Sequence, residues 1–290
     1  MTAKSAMERR GDRVTALLLL PTTLWFLLLL IMPLIVVLVF SFGARAPAGG
    51  YQAAFTLEQY ANLPARLTAF TNTLTLAPLG TFLCVVIAYP LAYYLAVRAG
   101  GRVKLLLLIL VIVPFWTSFL IRTYAWIYIL GGRGIPRLLD FVGIDDVRLI
   151  NTPTAVLIGI VYGYLPLMIF PIYVSLEKLD KRLLEASSDL GGTPVRTFLQ
   201  VTLPLSLPGL VTGSLLVFIL LMGEYLIPAL LGGGKVFFVG NALVDLFLQS
   251  RNWPYGSAVA IALVVIMLVA IAAYLGAVGR ERTRSDTSMF

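Results

Sequence analysis

The sequence predicts an all-α membrane protein, a six-span helical bundle with both termini on the cytoplasmic side. Three observations lead there. The 290 residues are 59% hydrophobic and only 12% charged, whereas soluble domains carry about 25% charged residues. Six apolar runs, at roughly 14–42, 71–97, 105–130, 151–175, 209–231 and 256–278, each approach or exceed the ~20 residues a spanning helix needs. Alternate loops also differ in positive charge. The set 1–13, 98–104, 176–208 and 279–290 holds 14 Lys and Arg, and the set 43–70, 131–150 and 232–255 holds 7. Cytoplasmic loops carry the excess of Lys and Arg, so the first set is assigned inside. The chain then divides into a cytoplasmic segment 1–13, one membrane domain 14–278 and a cytoplasmic tail 279–290. The net charge of +8 sets this orientation and meets anionic lipid; it calls for no nucleic acid.

The elements follow in order. Lys4, Arg9, Arg10 and Arg13 precede the first run as in a signal peptide, and Ala44-Arg45-Ala46 resembles a cleavage site. A signal h-region is only about 7–15 residues long, however, and Pro47 would follow the cut, so the run is read as a retained span. The outer loop 43–70 carries Pro47, Gly49 and Gly50, then Leu57-Glu58-Gln59-Tyr60, which suits a short interfacial helix. Span two contains Pro78 and Pro90. The tight inner turn Arg98–Arg102 makes it an antiparallel pair with span three, which contains Pro114. The Gly-rich outer loop 131–150 sets Asp140, Asp145 and Asp146 against Arg133, Arg137 and Arg148 on a solvated surface. Span four contains Pro166 and Pro171, and span five contains Pro228 and leaves through Gly232-Gly233-Gly234. Proline removes a backbone donor and kinks a helix, which membrane bundles tolerate when neighbours satisfy the freed carbonyls.

Several chemistries are excluded. With no His and one Cys, the chain can form no His/Cys metal site, no Cys-His pair and no Ser-His-Asp triad. Cys84 reads as a small packing residue without an intrachain disulfide partner. No catalytic or metal-ligating residue is assigned. An ion-coupled secondary transporter would show several intramembrane carboxylates and often an inverted repeat; here there is one carboxylate and no repeat.

The inner loop 176–208 is the most informative stretch. Leu176, Leu179, Leu183, Ala186 and Leu190 recur at spacings of three and four, so 176–190 reads as one amphipathic helix. Glu177 and Lys181 form a favourable i,i+4 pair, and Glu185 and Asp189 an unfavourable one that leaves an acidic patch. Gly191-Gly192 stops the helix, and Thr193 caps a second short helix with Pro194 at its first position. The expected form is a helix, a hinge and a helix across the cytoplasmic face. Glu185-Ala186-Ser187, three residues, Gly191, nine residues, then Val201-Thr202-Leu203-Pro204 resembles the EAA loop of ABC-importer permeases, E-A-A, three residues, G, nine residues, I-x-L-P. Ser187 and Val201 depart from it mildly. The resemblance implies the type I importer permease fold. It also implies that Glu185, Ala186, Ser187, Asp189, Gly191, Leu203 and Pro204 dock onto a separate ATPase. No G-x-x-x-x-G-K-[ST] occurs, so this chain would bind no cofactor, with ATP and Mg held by a dimer of ATPase subunits. The other implied partners are a second, related permease chain and a periplasmic binding protein, all at a bacterial inner membrane.

Arg122 and Glu224 are the charged side chains inside the apolar runs, each costing about 2.5–3.5 kcal/mol at mid-membrane. With spans three and five both running outward, the two lie at similar heights. They could form an ion pair, Arg122 could snorkel outward, or Glu224 could line the path and attract a cation, with Trp116, Tyr124, Trp126 and Tyr225 near an ammonium group. Three stretches resemble the spermidine/putrescine-type permeases: Pro114 to Trp126, Gly223-Glu224-Tyr225-Leu226-Ile227-Pro228, and Asn252-Trp253-Pro254-Tyr255-Gly256-Ser257-Ala258. The length and long first span look like the first of the two permeases in such systems. The implied cargo is a polyamine, with an opine or an amino-acid-like compound as the alternative.

Overall fold

A computed structural model describes residues 15 and 17–287, with side chains to 278; the segment 1–13 assigned to the cytoplasm lies outside the described residues. The chain packs as two compact units, one built from the chain up to Pro64 with Asp245–Val264, the other from Ala65–Val244 with Val265 onward.

In the first unit, span one is the apolar helix Leu17–Ser41. None of its side chains is buried before Ser41. A π-turn at Leu27–Ile31 precedes Pro33. The same arrangement recurs at Phe198–Thr202 ahead of Pro204. A proline ring collides with the carbonyl four residues back, and one extra residue in the turn relieves that collision. The outer loop that follows departs from the all-helical expectation. Ala44–Arg45 and Tyr51–Gln52 pair as a small antiparallel ribbon, turned by Gly49 and Gly50 at φ +87° and +91°. It is sewn to the entry of span six, where Gly50 N–H donates to the Arg251 carbonyl at 2.7 Å and Arg45 Nη2 to Ser250 at 2.8 Å. The short helix of this loop is Glu58–Ala61.

In the second unit, spans two (Leu63–Arg98), four (Pro153–Glu177) and five (Pro194–Met222) carry the core. Their buried seam alternates small and large residues, including Ala77, Ala88, Ile160, Met168, Ile169, Val217 and Leu221. Small residues let membrane helices approach closely, where van der Waals packing provides the attraction. Gly209 illustrates this, with its backbone against the Pro171 carbonyl so that no Cβ fits. Span six is Trp253–Val278, and its helix continues to Thr287.

Three sequence expectations need correction. Span three is not one helix over 105–130. It is Gly101–Trp116 followed, after a 95° bend, by a segment starting at Phe119. Pro114 lacks an N–H, and both the N–H and the hydroxyl of Thr117 close onto the Pro114 carbonyl (3.3 and 2.7 Å), which ends the first helix. Among the described residues five helices are long and apolar enough to cross a membrane, and the bent pair brings the number to six if it crosses as one span. Span five is displaced from 209–231. Its helix starts at Pro194 and stops at Met222, and a separate helix, Leu226–Leu231, follows. The inner loop does not continue helically from 176. Span four ends at Glu177, and a new helix, Lys181–Asp189, begins after Asp180.

Candidate functional site

The inner loop is a helix, a tight stop and a second helix. Asp180 opens the first by accepting the Arg182 N–H at 3.0 Å, satisfying one of the donors a helix start leaves free. It closes on Gly191 at φ +78°. Gly191 N–H donates to Ser188 O and Gly192 N–H to Ser187 O, both at 2.9 Å, the bond pair of a Schellman stop. Thr193 then accepts the Arg196 N–H at 3.4 Å with Pro194 at the first helical position. The second helix is not free-standing. Through the π-turn Phe198–Thr202, where Leu203 N–H reaches back to Phe198 O, it runs into span five. Leu203 and Pro204 are therefore the widened joint at which a cytoplasmic helix becomes a membrane helix.

Glu185, Ala186 and Asp189 are exposed, Ser187 and Leu203 half-buried, and Pro204 exposed. The expected Glu177–Lys181 pair does not form, because Glu177 instead takes Lys104 from the start of span three (Oε1 2.6 Å, Oε2 2.7 Å). Apolar side chains are left uncovered across the loop: Leu190 is 90% exposed, Val195 67% and Leu199 54%. Large apolar groups exposed beside an acidic pair make an interaction surface.

The second group of residues surrounds the break after span five. Glu224 is buried. Its Oε1 accepts the N–H groups of Leu226 (2.8 Å) and Ile227 (3.2 Å), and its Oε2 accepts the Tyr164 hydroxyl. A carboxylate on the first N–H groups of helix Leu226–Leu231 is favourable both by hydrogen bonding and by the helix dipole. Gly240 packs under the same break, where a Cβ would stand 2.5 Å from the Glu224 carbonyl oxygen. Asn241 Nδ2 donates to the Tyr225 carbonyl at 2.7 Å. The Tyr225 ring itself is 46% exposed.

Arg122 does not pair with Glu224. Its guanidinium lies against Phe115, Phe119 and Tyr162, 5.5–6.0 Å from their ring centres. Its Nε is buried without an acceptor. It is 9% exposed, so it does not snorkel. Phe119 also meets Tyr164 edge-on at 6.3 Å, so two rings stand between the opposite charges. Trp126 packs edge-on against Tyr162 at 5.4 Å on the Arg122 side. Trp116 and Tyr124 are exposed. The structure thus sets Arg122 and Trp126 against the same Tyr162 ring, keeps Glu224 beside its chain neighbour Tyr225, and leaves Trp116 and Tyr124 exposed.

Sequence reasoning missed Tyr164, Gly240 and Asn241. Their partners Glu224, Glu224 and Tyr225 lie 60, 16 and 16 residues away in sequence, across helix breaks, and no local pattern marks them. Asp180 did carry a signal, being a preferred helix cap just before Lys181.

Residues 88–282 match the family described as binding-protein-dependent transport system inner membrane component. The spermidine/putrescine transport system permease protein PotB of Haemophilus influenzae is 43% identical over 256 residues, 86% of this chain and 89% of that one. PotB of Escherichia coli K12 is 39% identical over 255 residues, covering 86% and 92%. The inner membrane ABC transporter permease protein YdcU of E. coli K12 is 34% identical over 231 residues, covering 75% and 72%. A chain of a bacterial ABC transporter involved in alginate import superposes with TM-score 0.72 at 18% identity, covering 96% of this chain and 99% of that chain, which speaks for the fold.

Proposed function

The chain belongs to the family of binding-protein-dependent transport system inner membrane components, and from that premise we propose that it is the polyamine-conducting permease subunit of an ABC importer. It is a multi-pass membrane permease with no chemistry of its own. In this reading a periplasmic protein delivers spermidine or putrescine, a related second permease completes the path, and a pair of ATPase subunits holds ATP and Mg. Both termini lie in the cytoplasm. The observation that carries the reading is the inner loop: a Schellman-stopped helix with uncovered Leu190, Val195 and Leu199 beside the acidic pair Glu185 and Asp189. That surface needs an apolar, basic groove on a partner, as an ATPase would offer. The 43% identity to a spermidine/putrescine permease supports the cargo.

Within the path, Glu224 supplies a fixed negative charge and the exposed rings of Tyr225, Trp116 and Tyr124 supply faces for an ammonium group. In this reading Arg122 and Trp126, both against the Tyr162 ring, belong to the same path. The Glu224 carboxyl group stays seated on the Leu226 and Ile227 N–H groups and the Tyr164 hydroxyl, so in this reading it attracts a passing cation without moving to bind it. The test is reconstitution of the whole importer in liposomes with labelled spermidine outside. ATP-dependent uptake that needs the binding protein is the expected result. Uptake of an opine or an amino acid but not of spermidine or putrescine would overturn the cargo. No uptake of any solute, with no ATPase associated, would overturn the importer reading.

A further inference from the structure

The loop departs from its E-A-A pattern at Ser187, and the structure gives that serine a partner. Ser187 Oγ lies 2.8 Å from Thr197 Oγ1. This is the side-chain hydrogen bond that joins helix Lys181–Asp189 to helix Pro194–Thr197 among the described residues. The stop between them is built around it, since a Cβ on Gly192 would stand 2.7 Å from Ser187 Oγ and 3.2 Å from Thr197 Oγ1. Thr197 belongs to the helix that continues unbroken to Met222. At its other end helix Lys181–Asp189 has no such side-chain tie to span five among the described residues. A groove of about 800 Å³ opens there between the end of span four, Leu183 and the inner part of span five at Leu205 and Pro208.

We propose that Ser187 and Thr197 are a clasp that makes the docking helix and span five one rigid lever, closed throughout the transport cycle. Both are positioning residues. Movement of the docking helix then reaches the break at Gly223-Glu224-Tyr225 along span five, while the Lys178–Asp180 turn lets span four follow separately. The proposal rests on the reading of this loop as the ATPase-docking element. The loss of one neutral hydrogen bond bounds its effect at roughly two- to tenfold in coupling.

The test uses the assembled importer in liposomes, reading solute uptake per ATP hydrolysed beside basal hydrolysis. Thr197→Val should lower uptake per ATP by about two- to tenfold with basal hydrolysis and bound ATPase unchanged; Ser187→Ala should lower uptake per ATP by the same factor, and Ser187→Thr should restore it. The pair Ser187→Cys with Thr197→Cys should cross-link under a mild oxidant, since the side-chain atoms already touch, and the oxidised form should transport as well as wild type. Unchanged coupling in both single variants, failure of the pair to cross-link, or transport lost on oxidation and regained on reduction would each overturn the clasp. Loss of ATPase from the wild-type complex would instead defeat the docking reading.

Discussion

Gly191→Ala isolates the helix stop from every other feature of the loop. Nothing lies within 4 Å of where its Cβ would stand, so no neighbour is displaced and the cost is backbone alone. Holding an L-residue at φ +78° costs about 1–2 kcal/mol, offset by about 0.4–1 kcal/mol from the stiffer unfolded chain. The net is about 1 kcal/mol, roughly a fivefold loss of the closed stop. Asn visits the left-handed region more readily and should cost less. Pro can neither reach a positive φ nor donate to Ser188, so it should open the stop entirely. Hydrolysis by the purified importer in lipid discs, with and without loaded binding protein, reads the series. Stimulation should fall in the order Gly, Asn, Ala, Pro, with insertion, yield and basal hydrolysis unchanged. Full stimulation in Gly191→Pro, or an order that ignores backbone preference, would show that the closed stop plays no part in coupling.

Four further predictions concern the membrane interior. Gly240→Ala forces a Cβ against the Glu224 and Gly223 carbonyls and should destabilise the purified protein by about 1–3 kcal/mol, visible as a lower unfolding temperature. Tyr164→Phe removes one donor from a charged acceptor, about 1.5–3 kcal/mol, whereas Glu224→Gln keeps an oxygen for the Leu226 and Ile227 N–H groups and should cost under ~1 kcal/mol while lowering cation uptake. If Glu224→Gln transports normally, its role is structural. Arg122→Met should be neutral or stabilising by up to about 3 kcal/mol, since an unpaired buried ion is removed; a loss of about 3–5 kcal/mol would mean that a carboxylate pairs with it in the assembled importer.

Hydropathy made the spans legible because lipid exposure demands apolar side chains whatever the packing, and span one, with no buried residue before Ser41, is the plainest case. Where helices end depended on finer chemistry. Glu185 to Pro194 could be read at the residue level because a Schellman stop and a Thr-Pro start each have local signatures, whereas the passage of the second helix through Leu203 and Pro204 into span five was not legible. The break at Thr117 was only half visible, as Pro114 announced a kink but not the Thr117 hydroxyl that completes it. Around Glu224, sequence could point to an intramembrane carboxylate but not to its fate. Its oxygens are filled by Tyr164 from another span and by backbone N–H groups exposed only because span five stops early. Arg122 failed to meet Glu224 because similar height along two helices fixes neither the bend of one nor the end of the other.

The most direct test of the central claim places a photoreactive amino acid at Leu190, whose side chain is 90% exposed at the tip of the loop, in cells that transport through this chain. An ultraviolet-dependent adduct with an ATPase subunit is expected, weakened when the same probe is combined with Gly191→Pro. Adducts with lipid alone, or none, from a variant that still transports would contradict it.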